Sequence, residues 1–430
     1  MEAARGFEDS WYFATARGLT HHPPLDERIR VDACVVGGGY SGLSAALELA
    51  ERGYTVALLE GHRIGAGASG RNGGVLGMGQ RKDQEELERW LGDDAAARLW
   101  QVALEANALV RERIRRYGID CDLKDGVLHA AHRLRHVAGY WRYVDHLAGR
   151  YGYHRCRRVD AAEMSAMLGT DTYYGGYLDE GGAHLHPLNL ALGLARACAG
   201  HGVRIFEHSA VVDYRMPAGP PGRISVRTDS GEVDAEFLVL ACNGYLGRLA
   251  RGIDAYQMPI NNFLLATESL GEARARRLNR DDVAVVDSRF VVNYFRMSPD
   301  HRLIFGGGEN YTPRFPRDLK AFVRRFMLEV YPSLDDAAID YAWGGTLAIT
   351  LKRMPHFGRS GNLFWAQGYS GHGVAMANMG GKLIAEAMAG TAERFDLFAR
   401  LPHVRFPGGR CLRWPALVAG MLYYAMLDKL

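Results

Sequence analysis

Between residues 31 and 60 the chain changes its hydrophobic spacing twice. "VDACVV" (31–36) is an unbroken apolar, β-branched run that stops at glycine, which predicts a strand buried on both faces in a parallel sheet. "LSAALELAERG" (43–53) then spaces Leu43, Ala46, Leu47 and Ala50 three and four apart, which predicts a helix with Gly53 as its C′ residue, the position where glycine closes helices. "TVALLE" (55–60) returns to a continuous apolar strand. Strand, helix and strand within about 30 residues is the unit from which dinucleotide folds are built.

The rest of the pattern is less regular. Residues 83–116 and 133–151 are rich in Ala, Leu, Glu and Arg and predict helices, with "DLKDGVLHAA" between them as a short hairpin or strand pair. "HPLNLALGLARACAGHG" is an amphipathic helix followed by the strand "VRIFEHSAV". "ISVRTDSGEVDAEFLVLAC" predicts strands turning at "DSGE", and residues 255–350 alternate short β runs with loops. "NLFWAQGYSGHGVAMANMGGKLIAEAMAG" reads as strand, glycine loop and helix. The expected fold class is α/β (α+β), in two lobes. A discontinuous Rossmann-like lobe takes 28–85, 155–250 and 355–395. A second lobe on a mixed sheet takes 86–154 and 251–354, with an arm at 1–27 and a docking segment at 396–430.

The turn of the first unit carries the candidate chemistry. Gly37-Gly38-Gly39-Tyr40-Ser41-Gly42 fits G-x-G-x-x-G: Gly37 for the tight turn, Gly39 for close approach to a pyrophosphate, Gly42 for helix–strand packing. The helix N-terminus adds unpaired amides and a positive dipole end. Glu60, at the end of the second strand, can accept hydrogen bonds from both ribose hydroxyls and would repel a 2′-phosphate, which disfavours NADP. The loop "GAGASGRNGG" (65–74) follows directly. An NAD site has no need of it; a larger, permanently held ligand does, and Ser69 and Arg71 with freed backbone amides predict an anion cradle.

Composition removes other classes. The 430 residues carry a formal net charge of +3 with 23% charged positions, and the basic runs are short, so no nucleic-acid partner is expected. The six cysteines form no C-x-x-C pair, which removes zinc ribbons and thioredoxin-type redox pairs and suggests a reducing compartment. No apolar stretch is long enough to span a membrane. The N-terminus lacks a secretory apolar core, so the expected location is cytoplasmic. The apolar tail "WPALVAGMLYYAMLDKL" predicts a docked terminal helix, with a membrane-surface contact as the minority reading.

Together, "SWYFATA", "GASGRNGG", "GGAHLHPLNLALGLARA", "YFRMSPDHRLIFGGG", "QGYSGHGVAMANMGGKLIAEA" and the tail resemble the amine and amino-acid oxidase (DAO) group of flavoproteins, which includes D-amino acid oxidase and glycine oxidase. The resemblance is strongest toward its γ-glutamylputrescine branch. It implies a lobe of the glutathione-reductase type that holds FAD. Gly37, Gly39, Tyr40, Ser41 and Gly42 would meet the pyrophosphate, and Glu60 and Arg63 the adenosine. Ala68, Ser69, Arg71, Asn72, Gly73 and Gly74 would run toward the flavin ring, Val211 would touch adenine, and Gly371, His372, Gly373 and Val374 would lie at the pyrimidine edge. Sarcosine-oxidase-type members tether FAD through a cysteine. The matching segment "GGTLAITLKRMPHFGR" has none, so the FAD is expected to be non-covalent.

The implied reaction is oxidation of a C–N bond in a small amine by hydride transfer to the flavin, then imine hydrolysis. Reoxidation by O2 would give hydrogen peroxide; a quinone or carrier acceptor, with an amino-acid substrate, is the alternative. Catalytic candidates are few. His372 either influences the flavin, orients substrate or only caps a loop. Tyr294 and Arg296 alternate on a strand and point one way, either into the substrate lobe or onto a surface. Tyr173, Tyr174 and Tyr177 are read as core rather than an aromatic wall. His184 and His186 are read as a turn rather than a metal pair, and no metal is expected. The oligomeric state is left open.

Overall fold

The computed structural model describes residues 6–407, apart from 218, 220, 221 and 311–313, together with Pro415. Cys411 and nearly all of the apolar tail lie outside the described residues, as does most of the 396–430 docking segment beyond the helix Glu393–Ala399 and its following loop. The fold is mixed α/β and contains two large sheets.

The first sheet has Arg28–Val36 near its centre. Glu232–Leu240 and Val56–Leu59 flank it in parallel, Arg204–Phe206 extends one side, and Leu363–Gln367 and His356–Ser360 extend the other. The continuous apolar runs are the reason: Ala33 to Val35 and Ala57 to Leu58 have no exposed surface, as strands covered on both faces require. The helices Tyr40–Glu51, Asp93–Arg116, Pro187–Gly200 and Gly373–Met388 share one apolar core on this side.

The second sheet runs Ile339–Ile349, Met258–Thr267, Leu303–Asn310, Tyr294–Met297, Ala284–Asp287, Lys124–Ala130, Gly176–His184 and Val75–Leu76, with Cys156–Val159 also on Gly176–His184. Three expectations change here. "DLKDGVLHAA" is one strand, because both of its edges are taken by partners distant in sequence, Gly176–His184 and Ala284–Asp287. Strands Cys156–Val159 and Gly176–His184 belong to this second sheet, although 155–250 was grouped with the nucleotide lobe. The long helix Asp93–Arg116, grouped with the second lobe, buries its apolar stripe in the first core. The N-terminal arm is a wedge: Phe7, Trp11 and Tyr12 are buried, and Tyr12 packs edge-on against both His186 and Trp343.

The five described cysteines are unpaired. Among the described residues, no helix is long and apolar enough to cross a membrane, and no group of three or more potential ligands gathers as a metal cluster. His186 caps the helix Pro187–Gly200 by accepting from Asn189 N at 3.1 Å, and its Nε2 lies 3.1 Å from Thr15 Oγ1. His184 Nε2 donates to Asp282 O at 2.7 Å.

Burial pushes His184, His186 and His356 down to about 3 from an ordinary 6.5. Above pH 6.5 these imidazoles are neutral in both states and contribute nothing to pH dependence. As pH falls below that value the unfolded chain takes up protons that the folded chain refuses, so stability is lost. Three such groups set a limiting slope of roughly 4 kcal/mol per pH unit. Guanidinium unfolding at pH 7, 6 and 5 should show a steepening loss; a flat profile would contradict the burial of these rings.

Candidate functional site

The fingerprint turn leaves the carboxyl end of the central strand. Gly37 has φ of 113°, a region closed to most side chains, and Gly39 is the N-cap of the helix Tyr40–Glu51 with no side chain capping it. A Cβ on Gly42 would stand 1.9 Å from Gly37 O, so helix and turn meet backbone to backbone. Glu60 accepts from Gly38 N at 2.7 Å and from His62 N at 2.9 Å. Burial pushes its carboxyl up, and these two amide bonds act against that shift.

The glycine loop folds over the turn. Ser69 Oγ accepts from Tyr40 N at 3.0 Å. Asn72 is a staple: its amide donates to Ala68 O and Ser69 O, and its carbonyl accepts from Gly74 N. Gly74, at φ 77°, passes so close to Leu185 that an added Cβ would lie 2.0 Å from Leu185 O. Arg71 departs from the anion cradle expected of it. Its guanidinium donates to Ala66 O at 2.7 Å and Gly344 O at 2.9 Å and lies 5.3 Å over the Phe7 ring, so it ties the loop to the second sheet.

Between the sheets lies a cavity of about 1020 Å³. Its wall includes Gly37, Gly39, Tyr40, Ser41, Glu60, Ala68, Ser69, Arg71, Asn72, Gly73 and Val211, and, from the far end of the chain, Gly371, His372, Gly373 and Val374. Val211 sits in the loop after the strand Arg204–Phe206 rather than on it. The helix Gly373–Met388 opens onto the cavity with His372 at its N-cap and no side-chain cap bond.

Four expected residues are not on that wall. Gly42 and Gly74 are the close-packing positions just described. Arg63 turns to the N-terminal arm, 3.0 Å from His21 Nδ1 and over the Phe13 ring. Arg296 is 1% exposed and bonds Gly73 O, Met297 O and the Tyr12 hydroxyl, so it supports the glycine loop from behind. Its partner in the strand does reach the cavity: the Tyr294 ring lies against Gly73 and Gly306, and its hydroxyl donates to Asn262 Oδ1.

His372 packs its ring on Gly77, where a Cβ would come within 2.9 Å of Cε1. Burial pushes it down to about 4, with Arg81 adding to the shift, so the ring is neutral at working pH. Its Nε2 is buried and has no hydrogen-bond partner among the described residues. Beyond it the cavity becomes aromatic. His129 stacks on Tyr177 at 4.3 Å, and Tyr140 meets Tyr177 edge-on at 5.2 Å. Tyr177 is thus wall as well as core, while Tyr173 is buried and Tyr174 is 46% exposed. The sequence reading missed His129, Tyr140 and Tyr143 and the nearby Asp83. The one available signal was Tyr140 and Tyr143, three apart on a helix otherwise rich in Arg and His.

The wall suits a dinucleotide: open helix amides at Gly39 and Ser41, a carboxylate at Glu60, and glycines where a side chain would fill the path. The sequence profile of FAD-dependent oxidoreductases (DAO) matches residues 32–387. The chain belongs to the FAD-dependent oxidoreductases. This oxidoreductase is 42% identical over 425 residues to gamma-glutamylputrescine oxidoreductase of Escherichia coli K12, covering 98% of each chain. It is 39% identical to the probable oxidoreductase OrdL of Haemophilus influenzae, over 98% of this chain and 97% of that one. Among solved structures, glycine oxidase from Geobacillus kaustophilus shares the fold, with a TM-score of 0.69 and 24% identity over 83% of this oxidoreductase and 94% of that chain. The oxidoreductase is therefore FAD-dependent.

Proposed function

We propose that the protein oxidises a primary amine of the γ-glutamylputrescine kind, with the overall change amine, water and O2 to aldehyde, ammonia and H2O2. The observation that carries this reading is one continuous cavity, running from the fingerprint turn into an aromatic chamber walled by the second sheet. FAD, when bound, supplies the acceptor for the hydride that leaves the carbon beside nitrogen.

The chain's own residues then have assigned tasks. The open amides at Gly39 and Ser41 face the pyrophosphate, with Tyr40 N held by Ser69 between them, Glu60 faces the ribose, and Val211 the adenine. Ala68 to Gly73 form the floor under the ribityl chain. The open N-terminus of Gly373–Met388 places positive potential at the pyrimidine edge, where negative charge develops on reduction. His372, neutral and with Nε2 unpartnered, can accept an N–H from a neutral amine and orient it. Tyr294, fixed through Asn262, helps keep water from the reacting end.

Anaerobic mixing with γ-glutamylputrescine, putrescine, sarcosine, glycine and D-amino acids tests the reading. Bleaching of the flavin by the glutamylated amine, followed by peroxide in air, is expected. Bleaching only by an amino acid would move the substrate class, and bleaching without peroxide would replace O2 by another acceptor. All of the flavin should leave the polypeptide on acid denaturation, since the segment 344–359 contains no cysteine.

A further inference from the structure

One stretch of the cavity wall carries a charge pattern that amine oxidation does not use. Arg81 and Asp83 stand two residues apart on the segment leading into the helix Gln84–Leu91, and both are on the cavity wall. Asp83 occupies the N-cap position, yet its side chain makes no capping bond, and among the described residues its carboxylate has neither a hydrogen bond nor a salt bridge. It is walled by protein but open to the cavity. Asp179, nearby on the wall, is different: the Tyr153 hydroxyl and Gly181 N both donate to its Oδ1, at 2.6 and 2.9 Å.

Besides Arg81 and the Lys82–Glu86 ion pair, the neighbours of Asp83 on the wall are phenols. The Tyr143 hydroxyl accepts from the adjacent Gln84 N at 3.4 Å, and Tyr140 and Tyr143 lie 5.2 and 6.3 Å from Tyr177 between ring centroids. Burial pushes all three phenols up, and the charge of Asp83 adds to the shift in each. A carboxylate flanked by electron-rich rings is a site for an ammonium group. The amine that is oxidised must be neutral, and a free carboxylate beside it would hold it protonated. Asp83 therefore suits a cation that does not react.

Arg81 supplies the opposite charge. Its Nε donates to Ser370 O at 3.2 Å, which anchors it beside the loop that carries Gly371 and His372. Among the described residues its two terminal nitrogens have no acceptor. Burial pushes the Asp83 carboxyl up and the Arg81 charge acts against that shift; the two form no salt bridge among the described residues, so both remain available.

We propose that Arg81 and Asp83 dock an α-amino-acid head on the substrate, the carboxylate on Arg81 and the ammonium on Asp83 among Tyr140, Tyr143 and Tyr177. This rests on the reading of the cavity as an amine-oxidation site. It defines the substrate class as an amine whose far, non-reacting end is a zwitterion.

The test uses the FAD-loaded protein and two readouts. Turnover is measured with γ-glutamylputrescine and with putrescine, which lacks the head. Binding is measured by calorimetry with γ-N-butyl-L-glutamine, which has the head and no terminal amine. Asp83→Asn should raise KM for the glutamylated amine about tenfold or more, leave kcat within about threefold, leave putrescine unchanged, and weaken γ-N-butyl-L-glutamine by the same factor. Arg81→Gln should act in the same direction, and Asp83→Glu should recover part of the loss. FAD content reports folding of each variant. Equal effects on putrescine and the glutamylated amine, or a Kd for γ-N-butyl-L-glutamine within twofold of the parent in both Asp83→Asn and Arg81→Gln, would overturn the dock. Should γ-glutamylputrescine fail to bleach the parent flavin, the reading of its oxidation fails, and the calorimetric comparison still decides the dock.

Discussion

Arg113→Met should lower the unfolding free energy by about 2–4 kcal/mol and weaken FAD retention, although Arg113 is not on the cavity wall. The guanidinium is 2% exposed on the long helix Asp93–Arg116. It bonds Glu48 Oε1 at 2.8 Å and Ser44 Oγ at 2.8 Å on the fingerprint helix, and Asn378 Oδ1 at 3.1 Å on the helix Gly373–Met388. Ser44 Oγ closes the triangle by donating to Asn378 O. Removing the arginine strands a buried carboxylate, which costs more than losing an exposed pair. The lower end of the range reflects Arg52, which also reaches Glu48, at 2.6 Å.

The effect on FAD follows from what those helices do. Both point their N-termini at the cavity, and Arg113 fixes one against the other. The double variant Glu48→Leu/Arg113→Met should recover most of the stability, because no buried charge is left unpaired. Guanidinium unfolding at pH 7 and the flavin-to-protein ratio after gel filtration check both parts. A single variant as stable as the parent would mean that Arg52 alone satisfies Glu48.

The fingerprint turn and the elements around it were legible because their signals are local. Hydrophobic spacing gave the strand and helix, three glycines gave the turn, and Glu60 followed at the end of the next strand. What long-range partners decide was not legible. Arg71 and Arg296 have the charge of ligand-binding residues, yet both donate to backbone carbonyls distant in sequence; Gly344 is 273 residues from Arg71, and Gly73 is 223 from Arg296. Alternation along "YFR" correctly put Tyr294 and Arg296 on one face. It could not say that the glycine loop covers the second and leaves the first open. The chamber was hidden for the same reason: Asp83, His129, Tyr140 and Tyr177 come from four separate segments and meet only when the second sheet forms.

Gly42→Ala should weaken FAD binding by about a hundredfold or more while leaving a folded protein, because one methyl group strikes the Gly37 carbonyl across the turn. The new Cβ would lie 1.9 Å from Gly37 O and 3.2 Å from Val35 Cγ1. A flexible side chain could swing aside, but a carbonyl moves only with its peptide plane. That plane is held: Gly37 is at φ 113°, and its own space is closed by Ala241 O, 2.7 Å from where a Cβ would stand. The helix start must therefore back away from the turn by roughly 1 Å, taking its open amides off the pyrophosphate path at a stability cost of about 1–3 kcal/mol. Gly200→Ala is the control, at the end of another helix with nothing within 4 Å of the added atom, and it should leave FAD affinity unchanged. Titration of the apoproteins with FAD, followed by flavin fluorescence, gives the comparison. Parental affinity in Gly42→Ala would mean that helix and turn shift as one body, and the close approach at Gly42 would then matter for packing and not for the cofactor.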